Sequence, residues 1–185
     1  MGDPASELSY GLNWVCGGAM RVLHFGCGDG ELLRRSATSG TQIHVGIDAS
    51  PKLIAQARKI TKNPDGARYY FRYGGVAEFQ ALLPNSFDAA IIWGAIDELS
   101  PEDGKFILSE LFRVVAAKGK IMLKLGGHEG QEEIQLNEMP LLWGMTAGEW
   151  TTYLEEKFIV KPCRDIYIRE QRRHEGLFLL QKPEI

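Results

Sequence analysis

The chain has 185 residues, 44% of them hydrophobic and 24% charged, with a formal net charge of −3. That length suits one domain with a sizeable core, and that composition suits a globular fold in water. The charge balance lacks the basic footprint of a nucleic-acid binder, and no apolar run approaches the roughly 20 residues of a membrane span.

Three cysteines, Cys16, Cys27 and Cys163, are widely spaced and form no CxxC pair. They suggest neither a disulfide framework nor a zinc site, so no metal is expected. The first residues lack the basic flank and apolar core of a signal peptide, which points to the cytoplasm.

Residues 5–20 read as a short amphipathic helix ending at Gly17-Gly18, and residues 1–20 as a lead-in or lid. Residues 21–185 read as a single domain. "RVLHF" is a strand and "GELLRRSAT" helical. "QIHVGID" is a second strand, and Ser50 and Pro51 open a helix with Leu53, Ile54, Ala57 and Ile60 on its inner face. "ARYYFRY" is a third strand, followed by the short helix "VAEFQALL".

"SFDAAIIWGAI" is nearly all apolar, as in a strand buried on both faces. Ser100 to Asp103 then cap a helix with Phe106, Ile107, Leu111, Phe112, Val114 and Val115 inward, stopped by Gly119. "KIMLKLGG" is the fifth strand. Residues 126–145 form a long connection before a capping box, Thr146 and Glu149, on the last helix. "FIVKPCRDIYIRE" and "EGLFLLQKP" close the chain as a hairpin about the turn "QRRH". The pattern predicts an α/β fold with a doubly wound, mainly parallel seven-stranded sheet and an antiparallel C-terminal hairpin strand at its edge.

"VLHFGCGDG" places a glycine loop after the first strand, where ligands of such sheets bind. Gly26-x-Gly28-x-Gly30 is one residue shorter than the dinucleotide pattern, and Glu31 holds the third glycine's place. No phosphate-loop stretch exists. Asp48 ends the second strand about 18 residues after Gly30, the right place for a carboxylate holding ribose hydroxyls.

"VLHFGCGDG", "VGIDASPKLIAQAR", "FDAAIIWGAIDEL" and "LFRVVAAKGKIML" together resemble the successive motifs of the class I S-adenosylmethionine-dependent methyltransferases. The resemblance runs from about Arg21 to the C-terminus and implies S-adenosyl-L-methionine as cofactor. It places His24, Phe25, Gly26, Cys27, Gly28 and Gly30 near the methionine and sugar, and Asp48 and Ala49 on the adenosine. Gly75, Val76 and Ala77 would border the adenine, and Trp93, Gly94 and Ala95 would close the methionine end. Three positions depart from the family. His24 stands for an acidic residue, Gly75 for a frequent Asp, and Glu98 for a frequent His. The imidazole of His24 would either hydrogen-bond the cofactor or be a satisfied buried histidine.

The residues name no catalytic group. Asp97, Glu98, His128 and His174 are base candidates, His174 being expected to face solvent in the hairpin turn. Arg169, Arg172 and Arg173 share that turn, as a solvated tip or as a grip on an acidic substrate. Glu98, His128 and Trp143 are the substrate candidates, and a small neutral or amine-bearing methyl acceptor is expected rather than nucleic acid or membrane. An inactive methyltransferase-like subunit or binding module is the alternative. The oligomeric state is left open.

Overall fold

Caps written into the sequence decide where the helices start. The protein, seen in a computed structural model that describes residues 3–62, 66–129 and 134–184, begins with helix α1, Pro4–Cys16. Asp3 accepts a hydrogen bond from the Ser6 backbone N–H at 3.0 Å, and proline occupies the first turn. Ser50 caps α3 (Pro51–Ile60) and Ser100 caps α5 (Pro101–Val114) in the same way. Thr146 and Glu149 form the expected reciprocal capping box on α6 (Ala147–Glu155). Short helices α2 (Glu31–Arg35) and α4 (Val76–Gln80) lie between them.

The strands are β1 (Arg21–Phe25), β2 (Ile43–Asp48), β3 (Arg68–Tyr73), β4 (Phe87–Trp93) and β5 (Val115–Glu129), then β6 (Ile159–Val160), β7 (Arg164–Ile168) and β8 (Arg173–Gln181). Among the described residues they form one sheet in the order β3-β2-β1-β4-β5-β8-β6, with β7 also paired to β8. β1 to β5 are parallel, and β8 is antiparallel to each of its partners. The chain winds outward from β1 to β3 and then returns to the other side of β1 as β4. The winding therefore reverses between the carboxyl ends of β1 and β4.

Alternation along β1 sends Val22 and Leu23 into two separate cores. Leu23 and Phe25 pack beneath α4, α5 and α6, with Phe79, Ile107, Leu111 and Trp150. Val22 packs with Leu12 and Val15 of α1, Leu33 of α2, and Ile54 and Ala57 of α3. Glu7 of α1 is buried and takes both an Nε and an Nη bond from Arg164 of β7, the second at 2.9 Å. The lead-in thus lies on a face of the sheet.

Several expectations need correction. The antiparallel strand is not the edge: β8 runs between β5 and β6–β7, and His174 to Leu180 are buried. The expected sixth strand is present in two pieces, parted at Lys161-Pro162-Cys163, where Pro162 has no N–H to donate. Helix α5 ends at Val114 rather than at Gly119. Val115 already pairs with Phe87, and a register shift follows, with Lys118 at φ 62°. On α3, Leu53 and Ile60 are exposed and only Ile54 and Ala57 are buried. The helix covers the margin of the sheet, where β3 offers a single buried residue, Phe71. His174 belongs to β8, not to the turn, and its Nδ1 lies 2.9 Å from Asp165.

Candidate functional site

Gly26, Gly28 and Gly30 all take left-handed backbone angles, with φ of 73°, 55° and 81°, which L side chains rarely adopt. Their surroundings differ. A Cβ at Gly26 would collide with Ala95, and one at Gly30 would meet the Phe71 ring at 2.7 Å. At Gly28 a Cβ would find nothing within 4 Å. Two of the glycines serve internal packing, and the third faces open space.

The loop is fastened to the end of β2. Gly26 and Cys27 donate their N–H groups to the Ile47 carbonyl at 2.8 and 3.1 Å. The Asp48 carboxylate accepts from the Gly28 N–H through Oδ2 and from the Ser50 N–H through Oδ1, each at 2.8 Å. Ser50 Oγ accepts the capping bond of α3, so Asp48 is not that helix's cap.

Beside the loop opens a cleft of about 730 Å3. Phe25, Gly26, Asp48 and Ala49 form one wall, and Gly74 and Gly75 continue it beyond β3. Trp93, Gly94 and Ala95 line the cleft at the end of β4, with Ala95 against Gly26, and Asp97, Glu98 and Leu99 follow. Lys124, Arg173 and Glu175 close the end next to β5 and β8.

The structure thus gathers most of the expected cofactor residues, but not all. Gly28 and Gly30 are in the loop outside the lining. Val76 and Ala77 begin α4; Val76 packs on the core and Ala77 is exposed. Cys27 is buried against Gly46, and burial, with the nearby Asp48 charge, pushes its thiol up to about 12. His24 shares the face of Val22, is 2% exposed and does not line the cleft. Neither ring nitrogen has a hydrogen-bond partner among the described residues, and burial lowers its pKa to about 3. It is neither a cleft residue nor a satisfied core histidine.

Of the substrate candidates, Glu98 lines the cleft and is exposed. Trp143 does not line it; its ring stacks at a tilt 5.3 Å from Trp150, over Gly104 of α5. The backbone of His128 belongs to β5, and its side chain lies outside the described part. No residue of α1 lines the cleft.

At the charged end of the cleft, Asp97 and Arg173 were candidates from the sequence, whereas Lys124 and Glu175 were missed. Lys124 Nζ donates to Glu175 Oε2 at 2.7 Å and lies 5.4 Å from the centre of the Trp93 ring. Asp97 accepts from the Gly126 N–H at 2.9 and 3.1 Å, and burial raises its pKa above the ordinary carboxylate value. Arg173 lies 4.0 Å from Asp97 and 3.7 Å from Glu175. The visible signal was Gly126, where a Cβ would collide with the Arg173 guanidinium.

The chain is similar in structure to the N-methyltransferase NodS of Bradyrhizobium japonicum, solved with S-adenosyl-L-homocysteine. The two are 15% identical, with a TM-score of 0.73 over 98% of this chain and 89% of that one. It is also similar to the 1,6-didemethyltoxoflavin-N1-methyltransferase of Burkholderia thailandensis, at 18% identity and a TM-score of 0.73 over 96% and 77% of the chains. A SAM-dependent methyltransferase of Methanosarcina mazei is 17% identical, with a TM-score of 0.67 over 89% and 93%. No curated protein matches the chain in sequence. A family model described as a methyltransferase domain matches residues 22–119, more than half of the chain, so this protein belongs to that family of methyltransferase domains.

Proposed function

We propose that this chain is an S-adenosylmethionine-dependent methyltransferase acting on a small molecule. One observation carries the reading. The glycine loop and the Asp48 carboxylate, 20 residues apart, meet through the Gly28 N–H bond beside a cleft where the strand winding reverses.

The residues fit the cofactor. Gly28 leaves open space where a side chain would stand. Each Asp48 oxygen accepts one N–H and keeps a lone pair for a ribose hydroxyl. Ala49, Gly74 and Gly75 offer a low wall suited to a flat base, and Phe25, Gly26 and Trp93 to Ala95 suit the methionine end. When bound, the cofactor supplies a methyl group already activated on a sulfonium.

What remains for the chain is to position the methyl acceptor, exclude water and take up a proton. Trp93 and Leu99 supply apolar cover. Asp97, desolvated and held by the Gly126 N–H, has the raised proton affinity that suits removal of a proton from an attacking N–H or O–H. A binding module would need no such group, which favours the enzyme over an inactive homologue.

Calorimetry with S-adenosylhomocysteine on the wild type and on Asp48→Ala tests the reading. Hydrogen bonds to a charged group contribute about 1.5–3 kcal/mol each, so the variant should bind about 10- to 100-fold more weakly. Unchanged affinity in a folded variant contradicts the assignment, as does binding of a nicotinamide dinucleotide in preference to S-adenosylhomocysteine.

A further inference from the structure

Arg173 sits in the cleft without a settled partner. It opens β8 opposite Glu129, and its guanidinium reaches over Gly126, the residue whose N–H holds Asp97. Lys124, the other cation there, is satisfied: it bonds Glu175 at 2.7 Å and lies over Trp93. Arg173 is not. Its Nε is buried with no hydrogen-bond partner among the described residues. Asp97 at 4.0 Å and Glu175 at 3.7 Å both stand beyond hydrogen-bonding range. Arg173 also lines a second cavity, of about 610 Å3, with Arg172, Glu129 and Glu170, so it stands between two open spaces.

We propose that Arg173 anchors the carboxylate of a small amino-carboxylate methyl acceptor, whose amino end lies toward Asp97 and Glu98. The proposal rests on the methyltransferase reading and adds the class of molecule methylated. A guanidinium presents its donors as a planar fork that matches a carboxylate two-to-two. The Arg173 side chain is 35% exposed and its guanidinium gives no hydrogen bond to Asp97 or Glu175, so an incoming carboxylate breaks none. The ionisable groups around the cleft decide the rest. Asp48, Asp97, Glu98 and Glu175 outnumber Lys124 and Arg173, so a simple anion meets an excess of negative charge. A zwitterion offers its ammonium to that excess and its carboxylate to Arg173.

The test is a calorimetric titration of the full chain, saturated with S-adenosylhomocysteine. The probes are the proteinogenic α-amino acids and the aminobenzoates, each against its own primary amide, on wild type, Arg173→Gln and Arg173→Lys. In the wild type at least one acid should bind about tenfold or more tightly than its amide, as loss of a charge-assisted fork requires. Arg173→Gln should abolish that preference and Arg173→Lys should keep part of it, all three proteins binding S-adenosylhomocysteine equally. A preference that survives in Arg173→Gln overturns the proposal. So does the absence of any preferred acid in the wild type, or a fall in S-adenosylhomocysteine affinity in Arg173→Gln. Failure of the wild type to bind S-adenosylhomocysteine would instead count against the methyltransferase reading, and the same panel on the unloaded chain would still decide the role of Arg173.

Discussion

At the scale of single residues, His24 carries the most testable consequence. Burial holds the imidazole neutral, with a pKa near 3 against an ordinary value of 6.5. Between those values the unfolded chain binds a proton that the folded chain does not, so His24 withdraws stability as pH falls. The slope is at most about 1.4 kcal/mol per pH unit. His24→Leu removes both that proton uptake and two unpartnered ring nitrogens. Urea unfolding at pH 7.5 and pH 5.0 should show a clear acid loss in the wild type and a smaller one in His24→Leu. An equal loss in both would mean that the buried imidazole is not the group responsible. The glycine loop and Asp48 were legible in sequence because spacing after a strand is a local signal. The division of labour among Gly26, Gly28 and Gly30 was not, because it depends on Ala95 and Phe71, which arrive from distant segments.

At the scale of elements, α1 is bound to the sheet by chemistry as well as by its apolar stripe. Glu7 is 6% exposed, and its partner Arg164 comes from β7, 157 residues later in the chain. Arg164→Ala leaves a buried carboxylate without its donor, which costs about 1–3 kcal/mol. We expect a lower urea midpoint, with faster amide exchange concentrated in α1. Unchanged exchange there would show that Leu12 and Val15 hold the helix alone. The caps and β1 to β4 could be read from the sequence, since Ser50, Ser100 and Thr146 act within three residues of themselves. The end of α5 could not. Val115 continues the helical apolar spacing, yet its pairing with Phe87 draws it into the sheet. The same holds for His174, a polar residue beside a turn that Asp165 makes acceptable inside.

At the scale of the whole molecule, the parallel strands and the inserted β8 contribute to different parts of one cleft. β1, β2 and β4 bring the glycine loop, Asp48 and the Trp93 wall to their carboxyl ends, where an α/β sheet binds its ligand. β8 runs the other way, so its first residues, Arg173 and Glu175, arrive at that same end beside Lys124. The parallel part was foreseeable from strand and helix alternation. Asp97 and Arg173 were candidates already, but their meeting with Lys124 and Glu175 required knowing that β8 lies next to β5, which no local pattern states. The central claim is that the cofactor lies in the cleft beside the glycine loop and Asp48, with its reactive end at Trp93 to Ala95. A crystal structure of the chain with S-adenosylhomocysteine measures this most directly. The account predicts ribose hydroxyls on the Asp48 carboxylate and the sulfur beside residues 93–95, facing Asp97. A ribose away from Asp48, or a sulfur turned toward β3, would contradict it.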